Sequence, residues 1–411
     1  MKNQLKIAAI VTPFPALSET FILNRITGLI DRGHSVDIYA SQPRDSDEYV
    51  HQSVLDYNLN DKTSYETKPA STPLLEIYRR LEAPLSIIKY SGVFRFLKNY
   101  PGKKQIRNLT RFKEEKKYDL IHAFFGMNGN LAVQARKLGI LDGPIAVSFH
   151  GIDLSSEIKE NTSIYDELFQ KGDLFLPVCE YYKKRLIRLG CPVEKILVHP
   201  SAIDVNQFVP TDKNRSSTKV SIISIGRLVE KKGFIYSIEA VAEYINENPD
   251  KEITYTIIGE GSLKNELLNK VGAYNLTNKI KIKASVNQEK IVSEVQASDI
   301  LICPSVVAEN GDEDTVPNVL KEAMACELPV IASRHGGIPE LVQHKENGLL
   351  IPEKNIKAMK EALNQLVNSP SQRAEMGEKG RKFVENNYEI ESRNDIISRE
   401  YIKLAHKYSE R

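Results

Sequence analysis

The stretch Asp299–Glu340, DILICPSVVAENGDEDTVPNVLKEAMACELPVIASRHGGIPE, decides how the chain is read. Ile300-Leu301-Ile302-Cys303 is a short apolar run of strand length. A polar loop follows from Ser305 to Thr315. Pro317 suits the first turn of a helix, where its missing N–H has no partner to lose. Val319, Leu320, Ala323 and Met324 then form an apolar stripe with Glu322 beside it. Leu328 to Ser333 reads as the next strand, and Gly336, Gly337 and Pro339 as the turn that ends it. Strand, loop, helix, strand and loop make a βαβ unit with both loops at one edge of a parallel sheet. Ligands bind at that edge in open α/β sheets.

The 411 residues fit two α/β domains better than one core. Lys and Arg exceed Asp and Glu by only 2, which argues against a general polyanion binder and against nucleic acid. Cys179, Cys191, Cys303 and Cys326 have neither redox nor zinc spacing and read as buried free thiols in a reducing compartment. The apolar run Ile7–Val11 is too short for a signal peptide, and no stretch approaches a membrane span. The expected location is cytoplasmic, with peripheral contact at the inner membrane face allowed.

Other βαβ pieces fall in order. Leu5–Val11, Ser35–Ala40, Tyr118–His122, Pro144–Phe149 and Leu174–Val178 are expected strands of a first half. Ser18 caps a helix running to Asp31, with Glu19 and Thr20 in its first turn. Val205–Lys219 is polar and reads as a linker. Val220–Ile225 opens a second half, followed by Gly226-Arg227-Leu228, Lys231-Lys232-Gly233 and, after the strand Tyr255–Ile258, Gly259-Glu260-Gly261. A last helix is expected over Glu389–Tyr408. Between Arg79 and Lys117, twelve Lys and Arg stand against three Glu, interleaved with Leu85, Ile87, Phe94, Phe96 and Leu97. That segment reads either as a solvated helical surface or as a contact for an anionic membrane surface or a lipid-diphosphate acceptor.

Taken together, these motifs resemble the family 4 glycosyltransferases, retaining enzymes of the GT-B fold. The resemblance covers nearly the whole chain and is densest from Gly226 to Gly348. It implies two Rossmann-like domains facing each other across a cleft. Residues 1–204, with the returning helix 389–411, would bind acceptor, and residues 205–388 would bind donor. The family's two acids, separated by seven residues, match Asp314 and Glu322. Asp314 stands where the family usually has Glu, and Asp312 and Glu313 are close enough to substitute. In the family the second acid takes the ribose hydroxyls and the first touches the transferred sugar. Arg227 and Lys232 match the cations on the donor diphosphate, and His150, in His150-Gly151-Ile152-Asp153, matches the residue near the scissile bond.

By the same resemblance Gly226, Gly259, Gly261, Asn318, Val319, Gly336 and Gly337 line the donor, while Ser18, Glu19, Thr20 and His122 are acceptor or loop candidates. The Ser18-Glu19-Thr20-Phe21 loop is similar to a subgroup that builds bacterial exopolysaccharides, including the colanic acid enzymes. It lacks the Gly-Gly pair that many family members carry there. The implied reaction moves a sugar, with retention, from a nucleotide-sugar to a saccharide or lipid-linked acceptor. UDP is favoured as the donor base and GDP is possible. No metal or other cofactor is implied. A GT-B nucleotide-sugar epimerase, or an inactive nucleotide-sugar-binding protein, are the alternatives.

Overall fold

The computed structural model describes residues 3–16, 19–43, 51–66, 83–85, 87–100, 103–112, 116–211, 216 and 218–410. They divide into two compact units. One holds Met1–Val178, Tyr182–His199 and Glu391–Arg411, and the other holds Cys179–Tyr181 and Pro200–Ile390. The change of unit after His199 precedes the polar stretch 205–219, whose Val205 and Phe208 are buried in the second unit's core.

The first unit contains a six-stranded parallel sheet. Its strands are β1 (Lys6–Ile10), β2 (Ser35–Ala40), β3 (Thr63–Tyr65), β4 (Leu120–Phe124), β5 (Ile145–Phe149) and β6 (Leu174–Pro177), in the order β3-β2-β1-β4-β5-β6. Every residue of β4 and β5 is buried. Continuous apolar runs of this kind belong to strands covered on both faces. The helix Ile390–Ser409 belongs to this unit, where Ile397 and Tyr401 enter the core. Arg32 holds it through Glu391 at 3.0 Å and Asp395 at 2.6 Å.

The second unit repeats the plan. Its strands are β7 (Lys219–Ile225), β8 (Glu252–Ile258), β9 (Ile280–Lys283), β10 (Ile300–Cys303), β11 (Val330–Ser333) and β12 (Gly348–Ile351), in the order β9-β8-β7-β10-β11-β12. All pairings are parallel. One face is filled by residues such as Ile238, Tyr255 and Leu363, the other by Leu301, Met324 and Val384. The strand order reverses between β7 and β10, and the crevice outside a reversal point is where such sheets hold ligands. Pro317 precedes the helix Asn318–Ala325 as its cap, and Pro339 lies inside a short helix, Ile338–Leu341, rather than in a turn. All four cysteines are buried and none forms a disulfide. Among the described residues, no helix is long and apolar enough to cross a membrane.

Candidate functional site

The loops leaving β7 and β10 are sewn together by side chains. Lys231 donates to Asp312 at 3.0 Å, and Lys232 meets Asp314 at 2.7 Å. Lys231 also lies 3.8 Å from Asp314, and Ser305 donates to the same carboxylate at 3.1 Å. The backbone joins in, with Val306 N–H donating to the Lys231 carbonyl at 2.9 Å and Glu309 N–H to the Glu230 carboxylate at 3.0 Å. Gly233, at φ +64°, lets this seam close, because a side chain there would collide with the Pro304 carbonyl.

Burial alone would raise the Asp314 carboxyl, but Lys232 and Lys231 hold it below its ordinary value. Burial likewise pulls Lys232 down, and Asp314 more than restores it. The site therefore carries a charged Lys232 in a low-dielectric setting. Arg227, one turn earlier, is exposed, and among the described residues its side chain has no ion pair or hydrogen bond. Gly226, Gly259 and Gly261 lie at the ends of β7 and β8, where a side chain on Gly259 would strike the Gly226 carbonyl.

Glu322 sits on the helix Asn318–Ala325, at the same sheet edge. Burial pushes its carboxyl up to about 7, with Lys321 pulling it back. Lys321, buried beside it, donates to Ser201 O at 2.7 Å and Asn318 Oδ1 at 3.0 Å and lies over the Tyr388 ring. Val319 packs against the core at the edge of the same helix. Gly336 and Gly337 follow β11, with Gly337 N–H donating to Thr315 O at 3.0 Å. If Glu322 meets the ribose of a bound nucleotide, replacing it by Gln should weaken UDP binding by about tenfold, the loss of one hydrogen bond to a charged group. Isothermal titration checks this, and unchanged affinity would remove Glu322 from the donor site.

The structure thus gathers Gly226, Arg227, Lys232, Gly259, Gly261, Asp314, Asn318, Val319, Glu322, Gly336 and Gly337 at the C-terminal edge of the second sheet. Asp312 and Glu313, the second choices for the first acid, are occupied differently. Asp312 serves Lys231, and Glu313 offers Lys231 its carbonyl at 3.5 Å.

His150 lies in the first unit, after β5. Asp153 accepts from the N–H groups of His150 (3.1 Å), Gly151 (2.9 Å) and Gly126 (3.2 Å), bracing the loops after β4 and β5. The His150 ring lies against Phe21, with centroids 4.1 Å apart and the planes tilted by 34°. His122, by contrast, is 1% exposed, bonded to Ser148 and Tyr401. Burial, with Arg25 nearby, keeps its pKa well below the ordinary value, so it is a neutral interior group. Glu19 and Thr20 begin the helix Thr20–Asp31, and Ser18 lies outside the described residues.

Sequence reading did not single out Lys231, Glu230, Ser305 or Asp153. Lys231 was visible in Lys231-Lys232, but nothing local separates a residue that braces the loop from one that faces a ligand. A fifth omission is Glu353, which ties His335 (2.6 Å) to Val307 N–H (3.1 Å) and so links the turn after β11 to the loop after β10.

Known proteins resemble this chain along most of its length. Residues 206–383 match the family described as Glycosyl transferases group 1, and residues 18–207 match Glycosyltransferase Family 4. The chain is 31% identical to a putative colanic acid biosynthesis glycosyltransferase of Escherichia coli (strain K12), over 97% of this chain and 99% of that one. It is 34% identical to the amylovoran biosynthesis glycosyltransferase of Erwinia amylovora, over 86% of this chain and 89% of that one. Among solved structures it resembles Anabaena HepE in complex with UDP and glucose, with a TM-score of 0.71 at 17% identity over 97% of this chain and 100% of that one. Sucrose-phosphate synthase from Thermosynechococcus elongatus gives a TM-score of 0.70 at 18% identity over 97% of this chain and 98% of that one. With each unit built on its own six-stranded parallel sheet of the same plan and these matches spanning both, the chain belongs to the family 4 glycosyltransferases and has the GT-B fold.

Proposed function

We propose that this protein transfers a sugar from a UDP-sugar, or less favourably a GDP-sugar, to a saccharide or lipid-linked saccharide in exopolysaccharide biosynthesis, with retention and without a metal. The observation that carries the reading is the Lys231–Lys232 pair locked against Asp312 and Asp314 at the reversal point, with Arg227, unpaired among the described residues, beside it. A leaving nucleoside diphosphate gains negative charge as its glycosidic bond breaks. Lys232 and Arg227 are cations fit to take that charge, aided by the first-turn N–H groups of the helix Asn318–Ala325, which lack a side-chain cap. Asp314 would hold hydroxyls of the transferred sugar and Glu322 those of the ribose. The acceptor hydroxyl would attack on the face the diphosphate leaves, giving its proton to a phosphate oxygen. His150 would orient the reacting sugar. The exopolysaccharide assignment rests on the two bacterial relatives, and the UDP preference on the UDP-bound neighbours.

A donor screen by thermal shift tests the binding part. A nucleotide-sugar at 100 times its dissociation constant adds about 2.7 kcal/mol to stability. UDP-sugars are expected to raise the melting temperature most, with the shift intact in excess EDTA. No shift with any UDP- or GDP-sugar would refute the reading.

The basic segment is proposed to meet an anionic membrane surface. On the helix Val93–Lys98, Val93, Phe94, Arg95, Leu97 and Lys98 are exposed and Phe96 is buried, so apolar and basic side chains share the outer face. Such a face suits the lipid interface. Arg111, read from sequence as part of that patch, is instead buried against Glu66 and the Val11 carbonyl. Arg79, Arg80 and Lys113 lie outside the described residues. Phe94→Asp with Leu97→Asp is expected to abolish co-sedimentation with phosphatidylglycerol vesicles at low salt. Equal pelleting by that variant, or none by the wild type, would discard the membrane role.

A further inference from the structure

Phe125, between β4 and the helix Gly126–Lys137, has φ +71° and ψ 146°. Glycine enters this region freely, whereas a bulky residue held there costs on the order of 1–3 kcal/mol. The surroundings enforce the conformation. Phe125 N–H donates to Ser148 O at 2.8 Å, and Asp153 fixes the next N–H, that of Gly126. The side chain packs on the margin of the first unit's core, beside Phe124 at 2% exposure, and leaves part of its ring open. Phe125, Phe21 and His150 all remain partly exposed.

These three rings form one group. Phe125 lies 5.3 Å from His150 at 63°, Phe21 lies 6.2 Å from Phe125 at 77°, and Phe21 lies 4.1 Å from His150 at 34°. They stand on the segments after β1, β4 and β5, at the ligand-bearing edge of the first unit's sheet. Exposed Met127 and Ile152 continue the same two loops with apolar side chains. An aromatic face carries negative charge density and attracts weakly positive C–H groups. A pyranose presents such C–H groups on one face and hydroxyls around its rim. We propose that Phe125, with Phe21 and His150, forms a stacking platform for the C–H face of the acceptor's terminal sugar. This rests on the transferase reading above and adds to it a residue that sets acceptor binding.

The strained backbone supplies an unusual test, because the variant that deletes the ring also relaxes the chain. Saturation-transfer NMR with the methyl glycosides of glucose, galactose, mannose and N-acetylglucosamine, on the full chain, gives the readout. The wild type is expected to transfer saturation to the ring C–H protons of at least one glycoside. Phe125→Gly should weaken that glycoside by about 3- to 10-fold, as expected for loss of an aromatic contact, and Phe125→Tyr should retain it. UDP affinity should be the same in all three proteins, which separates loss of glycoside binding from loss of the fold. Glycoside binding unaffected by Phe125→Gly, or absent in the wild type while UDP binds, would overturn the platform and leave the transferase reading standing. A wild type that binds neither UDP nor UDP-glucose would overturn both.

Discussion

Replacing Lys232 by methionine is expected to lower kcat/KM for the preferred nucleotide-sugar by about 10²–10³-fold, the cost of removing one preorganised donor to a developing anion. The expectation follows from how the ammonium is held. Its Nζ lies 2.7 Å from Asp314, inside a seam closed by Val306 and Glu309, so it does not reorganise when charge arrives. Most of the loss should fall on kcat, since the charge it answers is largest in the transition state. Arg227→Met should reduce the rate similarly. Because the Arg227 side chain has no described partner to leave behind, that variant should melt with the wild type. If Lys232→Met turns over normally, the ammonium is a brace and not a donor to the leaving group.

Asp314→Asn is expected to destabilise the fold by about 3 kcal/mol, the lower end of the cost of breaking a buried ion pair. Lys231 keeps Asp312, but Lys232 loses its near counter-charge while its side chain stays 16% exposed. In a unit of this size that is a melting-temperature loss of roughly 6–12 °C. The pH dependence has a definite sign. Asp314 is held below its ordinary value of 3.8, so its stabilisation is complete above that value and disappears as pH falls through the folded-state pKa. The gap between wild type and variant should be full at pH 7 and close toward pH 3. A gap that persists unchanged at pH 3 would mean that the carboxylate charge is not what holds the loop. Turnover should also fall in this variant, by more than UDP affinity does.

How much of this was readable in advance depended on whether the determinant was local. The strand–helix–strand reading of Asp299–Glu340 held because its apolar periods are strong and bounded by Pro317 and the glycine pair. Strand β3 has three half-buried, polar-leaning residues at a sheet edge, and it carries no run to detect. Strand β12 is only four residues long and follows a polar turn. The residues proposed for the donor side stand out by motif spacing, yet the partners that brace them do not. Lys231 with Asp312, Glu353 with His335, and Glu353 with the backbone N–H of Val307 are meetings of groups 81, 18 and 46 positions apart. No local pattern encodes such pairs. Arg111 shows the opposite failure. In sequence it is one more cation in a basic stretch, and only its packing reveals that it bonds the carbonyls at the ends of β1 and β2.

The stereochemistry of transfer tests the central claim most directly. Asp314 is engaged with lysines, and in the proposed reading Glu322 takes the ribose, which leaves neither as the nucleophile beneath the anomeric carbon. Same-face attack guided by the departing diphosphate leaves the donor's configuration unchanged. Proton NMR of the first product formed, in excess EDTA, should show the same anomer as the donor at an undiminished rate. An inverted product, or activity lost in EDTA and restored by Mn²⁺, would contradict the account.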